Sequence, residues 1–165
     1  GIINLDKSYV YKIEDFEFCD GIFDFIRDLH SLKIFNIFIV TNQSGIERGY
    51  YTEDDLYLLH LSMLEEFKKK FIEIKDTVYC SKLESEFRKP NPGMLNYLIK
   101  KHGLENDIKF MIGDKETDME AGKKVGATTI QINDLEKFEN ADYNFNNIKK
   151  ALQPIADIYV LGCCQ

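Results

Sequence analysis

Positive charge is in short supply in this chain. Its 165 residues carry 21 Lys and Arg against 28 Asp and Glu, a net charge of −7. No basic stripe runs along any one face, which argues against nucleic acid or an anionic membrane as the main partner. The longest basic run, Lys68-Lys69-Lys70, falls at the end of a predicted helix, where cations favour the negative pole of the dipole. A phosphate group must then be met by local geometry. Metal-ligand spacing is missing as well. Cys19, Cys80, Cys163 and Cys164 form no C-x-x-C or C-x-H pattern with the three histidines, so reduced thiols and no structural zinc are expected. His60 reads as a helix-face residue and His30 and His102 as helix-end residues, so none is a catalytic candidate. No run reaches transmembrane length and the start lacks a signal-peptide layout, which predicts a cytoplasmic protein. Repeats, low-complexity segments and linkers are absent, and a 44% hydrophobic content over this length fits one domain, residues 1–165. Nor does any Asp-x-Asp occur.

What the chain does have is a regular alternation of periods. Ile22, Phe25, Ile26 and Leu29 fall at helical spacing, a strand is predicted from about residue 34 to 40, and a loop from 41 to 51 follows. Thr52 with Asp55 resembles a capping box, with Leu56, Leu59, Met63 and Phe67 as the apolar face behind it. A strand at 77–80 comes next. Pro92 suits a first helical position, Leu95, Leu98 and Ile99 supply a core face, and Gly103 is a terminator. Strands at 108–112 and 128–132 flank a helix over 116–125 stopped by Gly126. The order helix, strand, helix, strand predicts an α/β fold with a mainly parallel sheet covered on both faces. Residues 1–18 read either as a hairpin-like flap or as irregular packing. The apolar tail Ile158-Tyr159-Val160-Leu161 reads as a strand.

Polar groups cluster where the predicted strands end, the edge at which open α/β sheets bind ligands. Asp114 follows the run Ile108 to Gly113 and can approach a hard cation such as Mg²⁺, which takes oxygen ligands and bridges to phosphate. Asp118, one turn later, could ligate the same ion or cap the following helix and orient Lys115. Thr41 offers a hydroxyl, followed by the backbone N–H groups of Asn42 and Gln43, an arrangement that binds phosphate oxygens without net charge. Lys89, between Arg88 and Pro90, is the candidate cation for a transferring phosphoryl group.

Together these motifs resemble the haloacid dehalogenase superfamily and, within it, the heptose-bisphosphate phosphatase family. The carriers are Gly1-Ile2-Ile3-Asn4 with Tyr9-Val10, Phe16-Glu17-Phe18, Thr41-Asn42-Gln43-Ser44-Gly45-Ile46 with Arg48-Gly49, Arg88-Lys89-Pro90 with Pro92-Gly93-Met94, and Gly113-Asp114-Lys115 with Asp118. The resemblance implies a Rossmann-like three-layer sandwich without a large cap domain. It implies a Mg²⁺-dependent phosphatase acting on a small phosphorylated sugar; a monomer is expected. Thr41 and Lys89 would hold the phosphoryl group, and Asp114 with Asp118 would serve the metal. Asp6, Lys7, Ser8, Tyr9, Asn42, Gln43, Ser44, Arg88 and Lys115 would contact the sugar phosphate. In the family an aspartate attacks in line and a second, two positions on, protonates the leaving oxygen. Both sit in an Asp-x-Asp-Gly motif of which Gly1 matches the glycine, so the expectation is a chain that begins just after its nucleophile and lacks the first strand. The alternatives are a histidinol-phosphate phosphatase, disfavoured by the 41–49 segment, and a non-catalytic phosphosugar-binding module.

Overall fold

The structure, a computed structural model, describes residues 1–34 and 36–162, which divide into two units. One holds residues 3–88 with Gly1, the other residue 89 onward with Ile2.

In the first unit, α1 (Ile22–Ser31) buries Ile22, Phe25, Ile26 and Leu29, the residues whose spacing predicts it. Strands β1 (Phe38–Asn42) and β2 (Asp76–Cys80) are joined by the crossover helix α2 (Glu53–Lys69). They pair in parallel from Phe38↔Asp76 to Asn42↔Cys80, so the segments that follow them leave from the same edge. Thr52 and Asp55 form the capping box: Thr52 Oγ1 accepts the Asp55 N–H at 3.1 Å and Asp55 Oδ2 accepts the Thr52 N–H at 2.8 Å. Leu56, Leu59, Met63 and Phe67 are buried behind it, each contributing roughly 1.5–3 kcal/mol relative to exposure. The predicted strand over 34–40 is displaced. Pairing with β2 carries it through Thr41 and Asn42, which therefore belong to the strand rather than the loop, and Phe35 lies outside the described residues. The first eighteen residues are hairpin-like: Asn4 and Phe18 form an antiparallel bridge, with a 3₁₀ turn at Ile13–Asp15. Phe18 and Phe23 both pack on Phe67, with centroids 5.6 and 5.3 Å away.

The second unit carries α3 (Gly93–His102), β3 (Phe110–Gly113), α4 (Glu116–Lys124), β4 (Thr128–Ile132), β5 (Tyr143–Phe145) and α5 (Leu152–Gly162). Its strands run in the order β3-β4-β5, all parallel. Pro92 is the N-cap of α3 rather than its first residue, and Met94 is buried along with Leu98 while Leu95 and Ile99 are half-buried. The strand over 108–112 is likewise shifted to Phe110–Gly113 by its register with β4. One prediction fails outright: the tail is the helix α5, not a strand. Ala151 and Ile155 are buried one turn apart and Gln153 Nε2 donates to Asp157 Oδ1 at 2.7 Å, helical spacings that a four-residue apolar run cannot announce. Cys163 and Cys164 lie outside the described residues. Among the described residues no helix is long and apolar enough to cross a membrane.

Candidate active site

Thr41 and Asn42 close β1, and the chain then turns on itself four times before α2. Gln43 O accepts the Ile46 N–H at 3.2 Å, Ser44 O the Arg48 N–H at 3.1 Å, Ile46 O the Gly49 N–H at 2.9 Å and Gly45 O the Tyr50 N–H at 2.9 Å. The Gln43 N–H donates to Cys80 O at 2.7 Å. It extends the strand pairing and is not the phosphate donor its position after Thr41 predicts. The Gln43 side chain is engaged instead: Nε2 donates to Thr41 Oγ1 at 3.2 Å and Oε1 accepts from the Tyr51 hydroxyl. Burial, aided by Tyr9, pushes the Tyr51 phenol above its ordinary pKa, so it keeps its proton.

Two neighbouring segments of this unit are held in place. Glu47 accepts the Leu83 N–H and pairs with Lys82 Nζ at 3.5 Å, clipping the segment after β2 to the loop after β1. The Leu83 N–H, more than Lys82, holds the Glu47 carboxyl below its usual range. Arg88 belongs to the clipped segment, its Nη1 donating to Lys82 O at 3.5 Å. Near the amino terminus, Ser8 and Tyr9 have left-handed backbones, φ +57° and +48°, with Asp6 Oδ1 accepting the Ser8 N–H at 3.1 Å. Two such residues in succession cost about 1–2 kcal/mol each, strain that recurs at ligand clamps. Tyr9 meets Tyr50 edge-on at 4.7 Å. Lys7 pairs with Glu17 at 2.9 Å on the surface.

The second unit holds a buried pair of opposite charges. Lys89 and Asp118 are 9% and 5% exposed, and Lys89 Nζ lies 2.7 Å from Asp118 Oδ1. The other oxygen, Oδ2, accepts the Lys115 N–H at 3.1 Å at the start of α4. Asp118 thus caps the helix through the Lys115 backbone N–H. Gly113 makes room for this: a Cβ there would stand 2.3 Å from Asp118 Cβ and 2.6 Å from Cγ. Asp114, at the end of β3, is half-buried, and Asn133 Nδ2 donates to its carbonyl at 2.8 Å, fixing the strand end.

Among the described residues no three His, Cys, Asp or Glu side chains gather in a metal-binding group. A carboxylate such as that of Asp114 suits Mg²⁺, which keeps several waters and uses one or two carboxylates with substrate phosphate. Asp118, already holding an ammonium and a backbone N–H, is the weaker ligand of the two. Sequence reasoning missed Tyr51, Glu47 and Asn133. Asn133 carried a signal, since it follows β4 as Asp114 follows β3, whereas Glu47 acts through a long-range partner and Tyr51 through one across a loop, which no spacing announces.

A family model described as HAD-hydrolase-like matches residues 86–151. Over 154 residues the chain is 45% identical to D-glycero-alpha-D-manno-heptose-1,7-bisphosphate 7-phosphatase of Campylobacter jejuni, covering 92% of this chain and 89% of that protein. The D-glycero-beta-D-manno-heptose-1,7-bisphosphate 7-phosphatase of Helicobacter pylori strain 26695 is 42% identical over 126 residues, 74% and 72% of the two chains. In structure, the chain is similar to D,D-heptose 1,7-bisphosphate phosphatase of B. bronchiseptica complexed with magnesium and phosphate. That match has a TM-score of 0.83 over 95% of this chain and 94% of the other at 18% identity, a likeness of fold.

Proposed function

The chain belongs to the heptose-1,7-bisphosphate 7-phosphatases of the HAD-like hydrolases, and from that membership we propose that it takes part in removing the 7-phosphate from D-glycero-D-manno-heptose 1,7-bisphosphate. The observation that carries this reading is the buried Lys89–Asp118 pair at the edge where β3 runs out into Asp114. A buried ammonium held by one carboxylate oxygen is a fixed positive charge, preorganised for the charge that grows on a transferring phosphoryl group. Lys89 neutralises that charge. By the family resemblance alone, Thr41 would donate a hydroxyl hydrogen bond to a phosphoryl oxygen, and Arg88 with the Asp6–Tyr9 segment would hold the part of the sugar phosphate that does not react. Asp114 would hold Mg²⁺, which when bound supplies Lewis-acid stabilisation of the phosphoryl oxygens. In-line attack and leaving-group protonation fall to an Asp-x-Asp pair that these 165 residues do not contain.

The test has two arms. The 165-residue chain should bind inorganic phosphate in the presence of Mg²⁺ and release none from either anomer of heptose 1,7-bisphosphate. The same chain preceded by a strand ending in Asp-x-Asp before Gly1 should turn over on the order of 1–10³ s⁻¹. No phosphate binding in the first arm, or ordinary turnover without the added aspartates, would overturn the reading.

A further inference from the structure

A hydroxyl beside a side-chain amide has two choices, to donate to the amide oxygen or to accept from its nitrogen. Thr41 can donate to a phosphoryl oxygen only in the second case, because the first consumes its proton. The second is the one present, with Gln43 Nε2 donating to Thr41 Oγ1 at 3.2 Å. We propose that Tyr51 is a positioning residue that fixes this choice: by donating to Gln43 Oε1 it orients the Gln43 amide so that the Thr41 hydroxyl faces substrate as a donor. The inference deepens the phosphatase reading and rests on it.

The argument turns on the proton of the Tyr51 hydroxyl. The residue is 5% exposed and its phenol stays protonated, so that proton requires a buried acceptor. Gln43 Oε1 is that acceptor. Were the amide reversed, Nε2 would face the tyrosine hydroxyl, whose own proton would lose its partner, while Oε1 would take the proton of Thr41. The ring cannot follow a reversed amide. It lies over Gly45, where a Cβ would stand 2.1 Å from Tyr51 Cε1 and 2.8 Å from Cζ, and Tyr11 stacks on it with centroids 5.3 Å apart and planes 9° from parallel. The loop that carries the ring is closed by the Tyr50 N–H donating to Gly45 O at 2.9 Å. Glycine at position 45 therefore serves the tyrosine, and the tyrosine serves Thr41.

The experiment uses Tyr51→Phe, which keeps the ring and its packing and deletes only the hydroxyl, in the 165-residue chain. In the first arm, NMR follows exchange of the Gln43 side-chain amide protons. Protection in the wild type that falls severalfold in Tyr51→Phe, with Tm little changed, supports the proposal; equal protection overturns it. In the second arm, titration calorimetry with inorganic phosphate and Mg²⁺ compares the wild type, Tyr51→Phe, Thr41→Val and the double variant. Each single change should weaken binding about 3–10-fold, the size of one neutral hydrogen bond, and the double change no more than the worse single one. Additive losses, or a Tyr51→Phe protein that binds as the wild type does while Thr41→Val is weakened, would overturn it. A wild type that binds no phosphate would count against the phosphatase reading itself, and the amide arm would still decide whether Tyr51 holds Gln43.

Discussion

The loop after β1 and the end of β3 present polar groups by opposite means. Around Thr41 the groups are neutral, a hydroxyl and an amide held in register by backbone turns and by aromatic rings. Around Lys89 they form a buried ion pair, Lys89 with Asp118. A set of dipoles loses one member and keeps the rest. A buried ion pair that loses one member leaves the other uncompensated, at a cost of about 3–5 kcal/mol. The two regions should therefore fail differently, the first by degrees and the second abruptly.

The largest effect tests the charged region. In the chain carrying Asp-x-Asp before Gly1, Lys89→Ala and Asp114→Ala should each lower kcat at least about a hundredfold, as loss of one transition-state electrostatic contact does. Lys89→Ala should also lower the stability of the chain by the roughly 3–5 kcal/mol of a broken buried pair, read from urea unfolding, while Asp114→Ala should cost clearly less. Equal urea midpoints for wild type and Lys89→Ala would show that the pair is not the buried unit described.

Two glycines sharpen the contrast next. Gly113→Ala would bring a Cβ to 2.3 Å from Asp118 Cβ, an atom tied directly to the backbone of α4. Gly45→Ala would meet the edge of the Tyr51 ring at 2.1 Å, and a ring edge on a side chain can tilt away at the expense of its hydrogen bond. Overpacking of this kind costs about 1–3 kcal/mol. Gly113→Ala should fall at or beyond the upper end and Gly45→Ala near the lower, by thermal or urea unfolding; the reverse order would undo the distinction between rigid and yielding neighbours.

Much of this was legible before the structure. Thr52 and Asp55 announced the start of α2, and the three-to-four-residue spacing of Ile22, Phe25, Ile26 and Leu29 announced α1, because capping and amphipathicity are local. Strand ends were less legible. β1 runs to Asn42 and β3 begins at Phe110 because partner strands set the register, which is long-range. β5 has three residues, too few for any period to show, and the apolar tail fits strand and helix alike. At the site, Thr41 near the end of β1 and Asp114 directly after β3 could be placed from the sequence, because each follows an apolar run. The pairing of Lys89 with Asp118 and the relay from Tyr51 through Gln43 could not, since each joins residues distant in the chain or across a turn.

Thr41→Ala probes the neutral region at the next size down. It removes one donor and leaves the rest of the loop, so kcat should fall by only about tenfold, well short of Lys89→Ala. A loss as deep as that of Lys89→Ala would make Thr41 the dominant contact and erase the graded behaviour expected of dipoles.

The smallest effect on kcat belongs to Arg88, although it is the immediate neighbour of Lys89. Arg88 lies in the segment after β2, its guanidinium donating to Lys82 O at 3.5 Å, and that segment is clipped to the β1 loop by Glu47. On the proposed reading, such a side chain grips the unreacting part of the substrate. Contacts of that kind hold ground state and transition state equally, so their loss raises KM without lowering kcat. Arg88→Ala should thus raise KM about tenfold and leave kcat within roughly twofold. Glu47→Ala, which frees the segment without touching the guanidinium, should move KM in the same direction by less. The two consecutive residues then give the sharpest form of the comparison, one read in kcat and the other in KM. If Arg88→Ala abolished kcat while Lys89→Ala spared it, the phosphoryl group would lie against the half-exposed guanidinium and not the buried ammonium, and the charged region would have to be rebuilt around Arg88.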